Sequence, residues 1–460
     1  MLTTPRPDCA ATVVRLRQTF DSGRTLDLDW RRAQLRALAT MLTDNGDAIV
    51  DAVAADLRRP AFETWLAEIV ATVNEARYAA RHLGRWTRRR HRLLEWTQLP
   101  GRAWIQYEPY GTVLIIGPWN VPFQLSLTPA IGAIAAGNTV VVKPSELAPA
   151  SSRLMAELIP RYLDAEAVAV VEGDGAVTQE LIAQGLDRVL FTGGTATGHK
   201  IMAAAADHLT PVTLELGGKS PVIVADDADV KTAARRIAWI KLMNSGQICI
   251  APDYVLVHAA VRDRFVEEIR AAIANFRTGV PTGLPIVNER QFARLAGALA
   301  ATEGEVVVGG GTDAERLEIE PTVVVEPHPD EPLMTDEIFG PVLPVLTVES
   351  VQQAIEFVRR RPKPLAAYLF TACKATRERV VREVPAGGMM INQLLLQVAT
   401  AKMPFGGVGP SGMGAYHGRF GFEEFSHRKS VLAKPTRPDL TAMFYPPYTD
   451  KRMRLLRRLA

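Results

Sequence analysis

Two residues of opposite chemical character stand 34 positions apart, each in a glycine-containing stretch. Cys249 ends Asn244-Ser245-Gly246-Gln247-Ile248-Cys249, and Glu215 begins Glu215-Leu216-Gly217-Gly218-Lys219. A thiolate is a strong nucleophile once its pKa is lowered. A carboxylate of tuned pKa activates water. Glycine lets backbone approach a ligand closely. A lone cysteine is more often an inert small hydrophobe, so the case turns on what accompanies it.

Three further stretches carry chemistry. Pro118-Trp119-Asn120-Val121-Pro122-Phe123 places an asparagine amide after an apolar run, where it could donate to a developing oxyanion. Lys143-Pro144-Ser145-Glu146 follows another apolar run and could contact the hydroxyls of a ribose. In Phe191-Thr192-Gly193-Gly194-Thr195-Ala196-Thr197-Gly198 a strand gives way to a helix, the place where helix amides meet a phosphate. The spacing there is G-x-T-x-x-G rather than G-x-G-x-x-G. Each stretch alone is also compatible with an ordinary turn.

In this order, together with Glu337-Ile338-Phe339-Gly340-Pro341 and Pro404-Phe405-Gly406-Gly407, these motifs resemble the aldehyde dehydrogenases. The resemblance covers roughly residues 30 to 430. It is strongest to the class 3 branch, through Asn288-Glu289-Arg290-Gln291-Phe292, Gly412-Met413-Gly414 with Tyr416-His417-Gly418, and Tyr445-Pro446-Pro447-Tyr448. It implies Cys249 as nucleophile, Glu215 as base, and Asn120 with the Cys249 backbone N–H as oxyanion donors. For the cofactor it implies Lys143 and Glu146 at the adenine-side ribose. Gly193, Gly194, Thr195 and Gly198 would form the phosphate turn, with Glu337 and Phe339 on the nicotinamide side. Trp239 and Phe405 would face the substrate. The implied cofactor is NAD, with NADP as the alternative, and no metal is implied. The implied reaction is oxidation of medium- or long-chain aliphatic or aromatic aldehydes to acids through a thiohemiacetal and a thioester.

The match loosens after Asn392, where class 3 relatives often carry Asp and then His, and this chain has Gln393 and Gln397. A CoA-acylating or aldehyde-reducing variant of the fold is an alternative, although Glu215 favours hydrolysis by water. A cysteine hydrolase would need a histidine placed by a motif at Cys249. A non-catalytic binding protein would have no use for the retained nucleophile, base and oxyanion donor.

The elements that must hold these residues read as α/β. After a helical first hundred residues, strands are expected at 112–116, 139–142, 169–171 and 188–191, with helices at 125–136, 150–163 and 177–184. A second series puts strands at 222–224, 254–257, 306–308, 322–325, 342–348, 365–370 and 389–391. Its helices are expected at 229–243, 261–275, 289–301, 350–359 and 374–383. Alternation of this kind indicates parallel sheets covered on both faces. The resemblance turns this into a Rossmann-type cofactor domain (1–97 and 110–216), an α/β catalytic domain (217–393) and a small β oligomerisation arm (98–109 and 394–460).

Length and charge bound the rest. The 460 residues suffice for two or three cores, and a net charge of +3 does not imply a nucleic-acid partner. Three scattered cysteines argue against disulfides and a zinc site, and fit a reducing cytoplasm. The charge-free stretch from Pro109 to Val142 is broken by glycine, proline and asparagine. It reads as strand, loop, helix and strand rather than a membrane span. The basic run from Lys451 onward reads as a solvated face, with at most peripheral contact to a membrane. The family resemblance implies a homodimer acting on a small-molecule aldehyde.

Overall fold

The computed structural model describes residues 7–278 and 284–459. The chain divides into two compact units. The larger takes in the described residues up to Trp86 together with Pro109–Ser426, and the smaller takes in Thr87–Glu108 with the chain from His427 onward.

The larger unit holds two sheets. In the first, Val168–Val170, Thr139–Lys143, Thr112–Ile116, Arg188–Thr192 and Val212–Glu215 run parallel in that order. Gly412–Met413 closes the edge antiparallel to Val212–Glu215. Every residue of Thr112–Ile116 and Thr139–Lys143 is buried, as strands covered on both faces must be. Val212–Glu215 has no counterpart among the expected strands. It is only four residues long, and its polar Thr213 and Glu215 interrupt the apolar run that marks the others.

The second sheet has the order Glu305–Val308, Thr322–Val325, Val342–Val348, Tyr254–His258, Pro221–Val224, Ala366–Phe370 and Gly388–Ile391. It is parallel except for Glu305–Val308. Helices start where side chains satisfy their first amides. Asp174 caps Gly175–Ile182, Asp229 caps Val230–Leu242 and Asn288 caps Glu289–Ala300. The charge-free stretch resolves into Thr112–Ile116, the helix Pro122–Ala136 and Thr139–Lys143.

Residues 394–426 belong to the larger unit, and Leu394, Phe405, Tyr416, Phe422 and Phe425 are buried there. Glycine makes this packing feasible. Gly412 has φ +143°, and a Cβ on it would lie 2.1 Å from the Leu214 carbonyl oxygen.

In the smaller unit Arg90–Arg92 pairs antiparallel with Arg102–Pro109, which also pairs with Ser426–Ala433. The guanidiniums of Arg89 and Arg90 lie over the rings of Trp104 and Tyr107. The basic C-terminal run forms the helix Asp450–Leu459. Among the described residues no helix is long and apolar enough to cross a membrane.

Candidate functional site

A cleft of about 870 Å³ opens in the larger unit at the carboxyl ends of the first sheet's strands, where open α/β sheets bind ligands. Asn120, Glu215 and Cys249 all line it.

Asn120 sits on the loop between Thr112–Ile116 and the helix Pro122–Ala136, almost wholly buried. Its Nδ2 donates to the Gln247 carbonyl at 3.0 Å, which ties the loop to the turn that carries Cys249. That turn is unusual backbone. Asn244, Ser245 and Gly246 have φ of 48°, 54° and 71° in succession. Strain of this kind persists only where surrounding bonds over-determine it. Here the Asn244 amide N–H donates to Glu63 Oε2 at 3.1 Å, and Asn244 Nδ2 donates to the Gln247 carbonyl at 3.1 Å. Gln247 Nε2 donates to the Asn244 and Pro285 carbonyls, both at 3.1 Å.

Cys249 retains some exposure. Burial, followed by the charges of Glu337 and Glu215, pushes its thiol up to about 12. Glu215 ends its strand buried, and neither carboxylate oxygen has a hydrogen-bond partner among the described residues. Burial, then the charge of Glu424, holds it well above the ordinary carboxylate range. An unpartnered buried carboxylate is costly, so its retention on a cleft wall points to a group that meets a ligand or water.

Lys143, itself buried, pairs with the more exposed Glu146 at 3.0 Å. Gly193 and Gly194 line the cleft, and a Cβ on Gly194 would meet nothing within 4 Å. No side chain caps the helix Thr195–Ala206; the Thr197 and Gly198 amides donate to the Gly194 carbonyl at 3.0 Å, which leaves those of Thr195 and Ala196 for an anion. Thr195 and Gly198 do not line the cleft. Gly198 has a packing reason instead, since a Cβ there would lie 2.7 Å from Leu216 Cδ2.

On the opposite wall, burial and then the charge of Asp253 push Glu337 up to about 8. Arg294 donates to the Glu337 and Ile338 carbonyls at 3.1 and 2.7 Å. Lys219 pairs with Asp253 and donates to the Leu333 and Asp336 carbonyls, each at 2.8 Å. Phe339 stands edge-on to Trp119, ring centres 5.5 Å apart. Carboxylates at Glu146 and Glu337, a helix N-terminus without a side-chain cap and an aromatic pair along one cleft fit a dinucleotide.

Phe405 lines the cleft, whereas Trp239 does not. Trp239 packs half-buried against an apolar cluster that also contacts Ile248, Cys249, Leu395 and Val398. Among residues beyond the expected set, Lys200, Arg290 and Arg294 bring positive charge to the cleft. The arginine–glutamine pair at 290–291 is visible in the sequence, but Lys200 carries no local signal.

The aldehyde dehydrogenase family model matches residues 4–431. The chain is 42% identical over 447 residues to aldehyde dehydrogenase family 3 member B1 of Rattus norvegicus, covering 96% of this chain and 95% of that protein. Its structure is similar to the substrate-bound state of Staphylococcus aureus AldH, with TM-score 0.93 and 39% identity over 98% of this chain and 99% of that one. It is also similar to an indole-3-acetaldehyde dehydrogenase complexed with NAD+, with TM-score 0.87 and 27% identity over 93% of this chain and 89% of that one.

Proposed function

The chain belongs to the aldehyde dehydrogenase family and is an NAD(P)-dependent enzyme of the family 3 type, and from that premise we propose how its own residues divide the work. The substrates are medium- or long-chain aliphatic or aromatic aldehydes, and the products are the free acids. The observation that carries this reading is the unpartnered Glu215 carboxylate sharing one cleft with Cys249 and Asn120.

The Cys249 S–H bond breaks and its proton passes to water in the cleft as Sγ bonds to the aldehyde carbon, and the carbonyl oxygen becomes an oxyanion. The Asn120 amide and the Cys249 backbone N–H donate to that oxyanion, which is stronger in the transition state than in the ground state. The redox chemistry would be supplied by a bound nicotinamide cofactor, as acceptor for the hydride of the former carbonyl carbon. The thioester left on Cys249 is attacked by water as Glu215 takes its proton, and the C–S bond then breaks to release the acid. A carboxylate held above its usual range suits that proton transfer near neutral pH. Lys143 and Glu146 would hold the adenine-side ribose, the amides opening Thr195–Ala206 the pyrophosphate, and Glu337 the nicotinamide-side ribose. Phe339 would flank the nicotinamide.

The apolar surroundings of Cys249 support the substrate class, since Ile248, Leu395 and Val398 belong to or pack on one hydrophobic cluster with Phe405. Ser426–Ala433 pairs with Arg102–Pro109 and is the edge strand of that sheet among the described residues, which supports a homodimer, because an open strand edge invites a second chain.

A panel of straight-chain aldehydes assayed for NADH formation tests this reading. Burying each methylene is worth about 0.8 kcal/mol, so kcat/KM should climb roughly threefold to fourfold per carbon from propanal towards octanal. A flat profile would remove the apolar-wall argument. Sustained NADH formation only when CoA is added, with acyl-CoA as product, would favour the acylating variant instead.

A further inference from the structure

Between the helix Gly46–Leu57 and the helix Ala71–Trp86, the chain passes through Arg59 and a π-helical turn, Trp65–Val70. Single π-turns recur at functional sites because they re-aim one side chain. Here the turn carries Glu68, which is wholly buried and paired with Arg59 at 2.7 Å. A buried ion pair loses much of its attraction to desolvation, so stability alone is a weak reason to keep one. Where its remaining hydrogen bonds go is more telling.

Glu68 Oε2 accepts the Phe123 and Gln124 N–H groups at 3.0 and 2.9 Å. These are first-turn amides of the helix that begins just after Asn120. Arg59 donates to the Asn120 carbonyl, and its Nε donates to Asn244 Oδ1 at 3.2 Å. Asn244 Nδ2 in turn donates to the same Asn120 carbonyl at 3.2 Å. The outward bonds of both side chains therefore end on the loop of Asn120 or on the strained turn before Cys249. Neither side chain lines the cleft.

We propose that Arg59 and Glu68 are positioning residues that hold the Asn120 amide in register with the Cys249 turn. The proposal rests on Asn120 being the oxyanion donor. The guanidinium is needed for its planar fork, which reaches the Glu68 carboxylate, a carbonyl and an amide oxygen at once. Lysine in its place keeps the charge against Glu68 and loses the fork.

A double-mutant cycle on the full-length enzyme decides the matter. Asn120→Ala alone should lower kcat about 10²–10³-fold. Arg59→Lys alone should lower kcat about tenfold, with KM for aldehyde and for NAD unchanged within a factor of about two. In the Asn120→Ala background, Arg59→Lys should cost less than about threefold, because no donor amide is left to position. Glu68→Gln, isosteric and uncharged, should repeat this pattern if Arg59→Lys is poorly folded. Equal costs for Arg59→Lys in both backgrounds, or a loss confined to KM, would overturn the positioning role while leaving Asn120 as donor. An Asn120→Ala enzyme of unchanged kcat would overturn both assignments together.

Discussion

Gly217 lies so close to Glu337 that a Cβ on it would sit 2.0 Å from the carboxylate Oε2. The turn that follows Glu215 on one wall thus makes the space in which Glu337 stands on the other. Gly217→Ala should push Glu337 aside without backbone strain, since Gly217 is not in the left-handed region. Losing one charge-assisted contact to a ribose is worth about 1.5–3 kcal/mol, so KM for NAD should rise at least tenfold while the melting temperature barely moves. Titration of NAD by fluorescence quenching checks it, and an unchanged dissociation constant would exclude this spatial link.

Much of this arrangement is legible in the sequence. Pattern marks the strands Thr112–Ile116 and Val342–Val348 because each is mostly apolar, with one threonine apiece. Motifs marked Cys249, Glu215 and Asn120 because each lies beside a turn with glycine or proline. The strand Val212–Glu215 was lost because half its residues are polar. Trp239, expected by resemblance to face the substrate, packs half-buried on the same cluster as Cys249, and spacing alone does not fix which way such a helix turns. Arg59 and Glu68 gave no signal at all. A charged residue in a helical stretch is normally solvated, and only tertiary contact over 61 residues to Asn120 shows otherwise.

Glu337 also predicts how stability depends on pH. Burial and Asp253 raise it from 4.5 to about 8 in the folded protein. A raised carboxyl stabilises fully below its unfolded pKa, and that contribution is lost as pH climbs through the folded value. The window therefore runs from about pH 4.5 to 8. Each tenfold change in proton affinity is about 1.4 kcal/mol, so the loss across the window is on the order of a few kcal/mol. Glu337→Gln should flatten the fall. Urea midpoints of the cofactor-free proteins at pH 5 and pH 8 provide the comparison, and parallel falls in the two would contradict it.

Glu146 should set the cofactor preference. Its carboxylate, half exposed beside Lys143, would face the extra phosphate of NADP and repel it. Glu146→Gln should raise kcat/KM for NADP about tenfold relative to NAD, the scale of one partly screened charge contact. Steady-state ratios with the two cofactors read this out, and a ratio that stays put would assign the preference elsewhere.

The covalent step is the centre of the account, and Glu215→Gln isolates it. Without its base the enzyme should form the thioester but release it some 10²–10⁴-fold more slowly. Mixing this variant with octanal and NAD, quenching at once and weighing the tryptic peptides is the most direct measurement. The account predicts one equivalent of NADH in a burst and an octanoyl group on the peptide containing Cys249. Continued NADH formation at the wild-type rate, or a burst that leaves Cys249 unmodified, would contradict it.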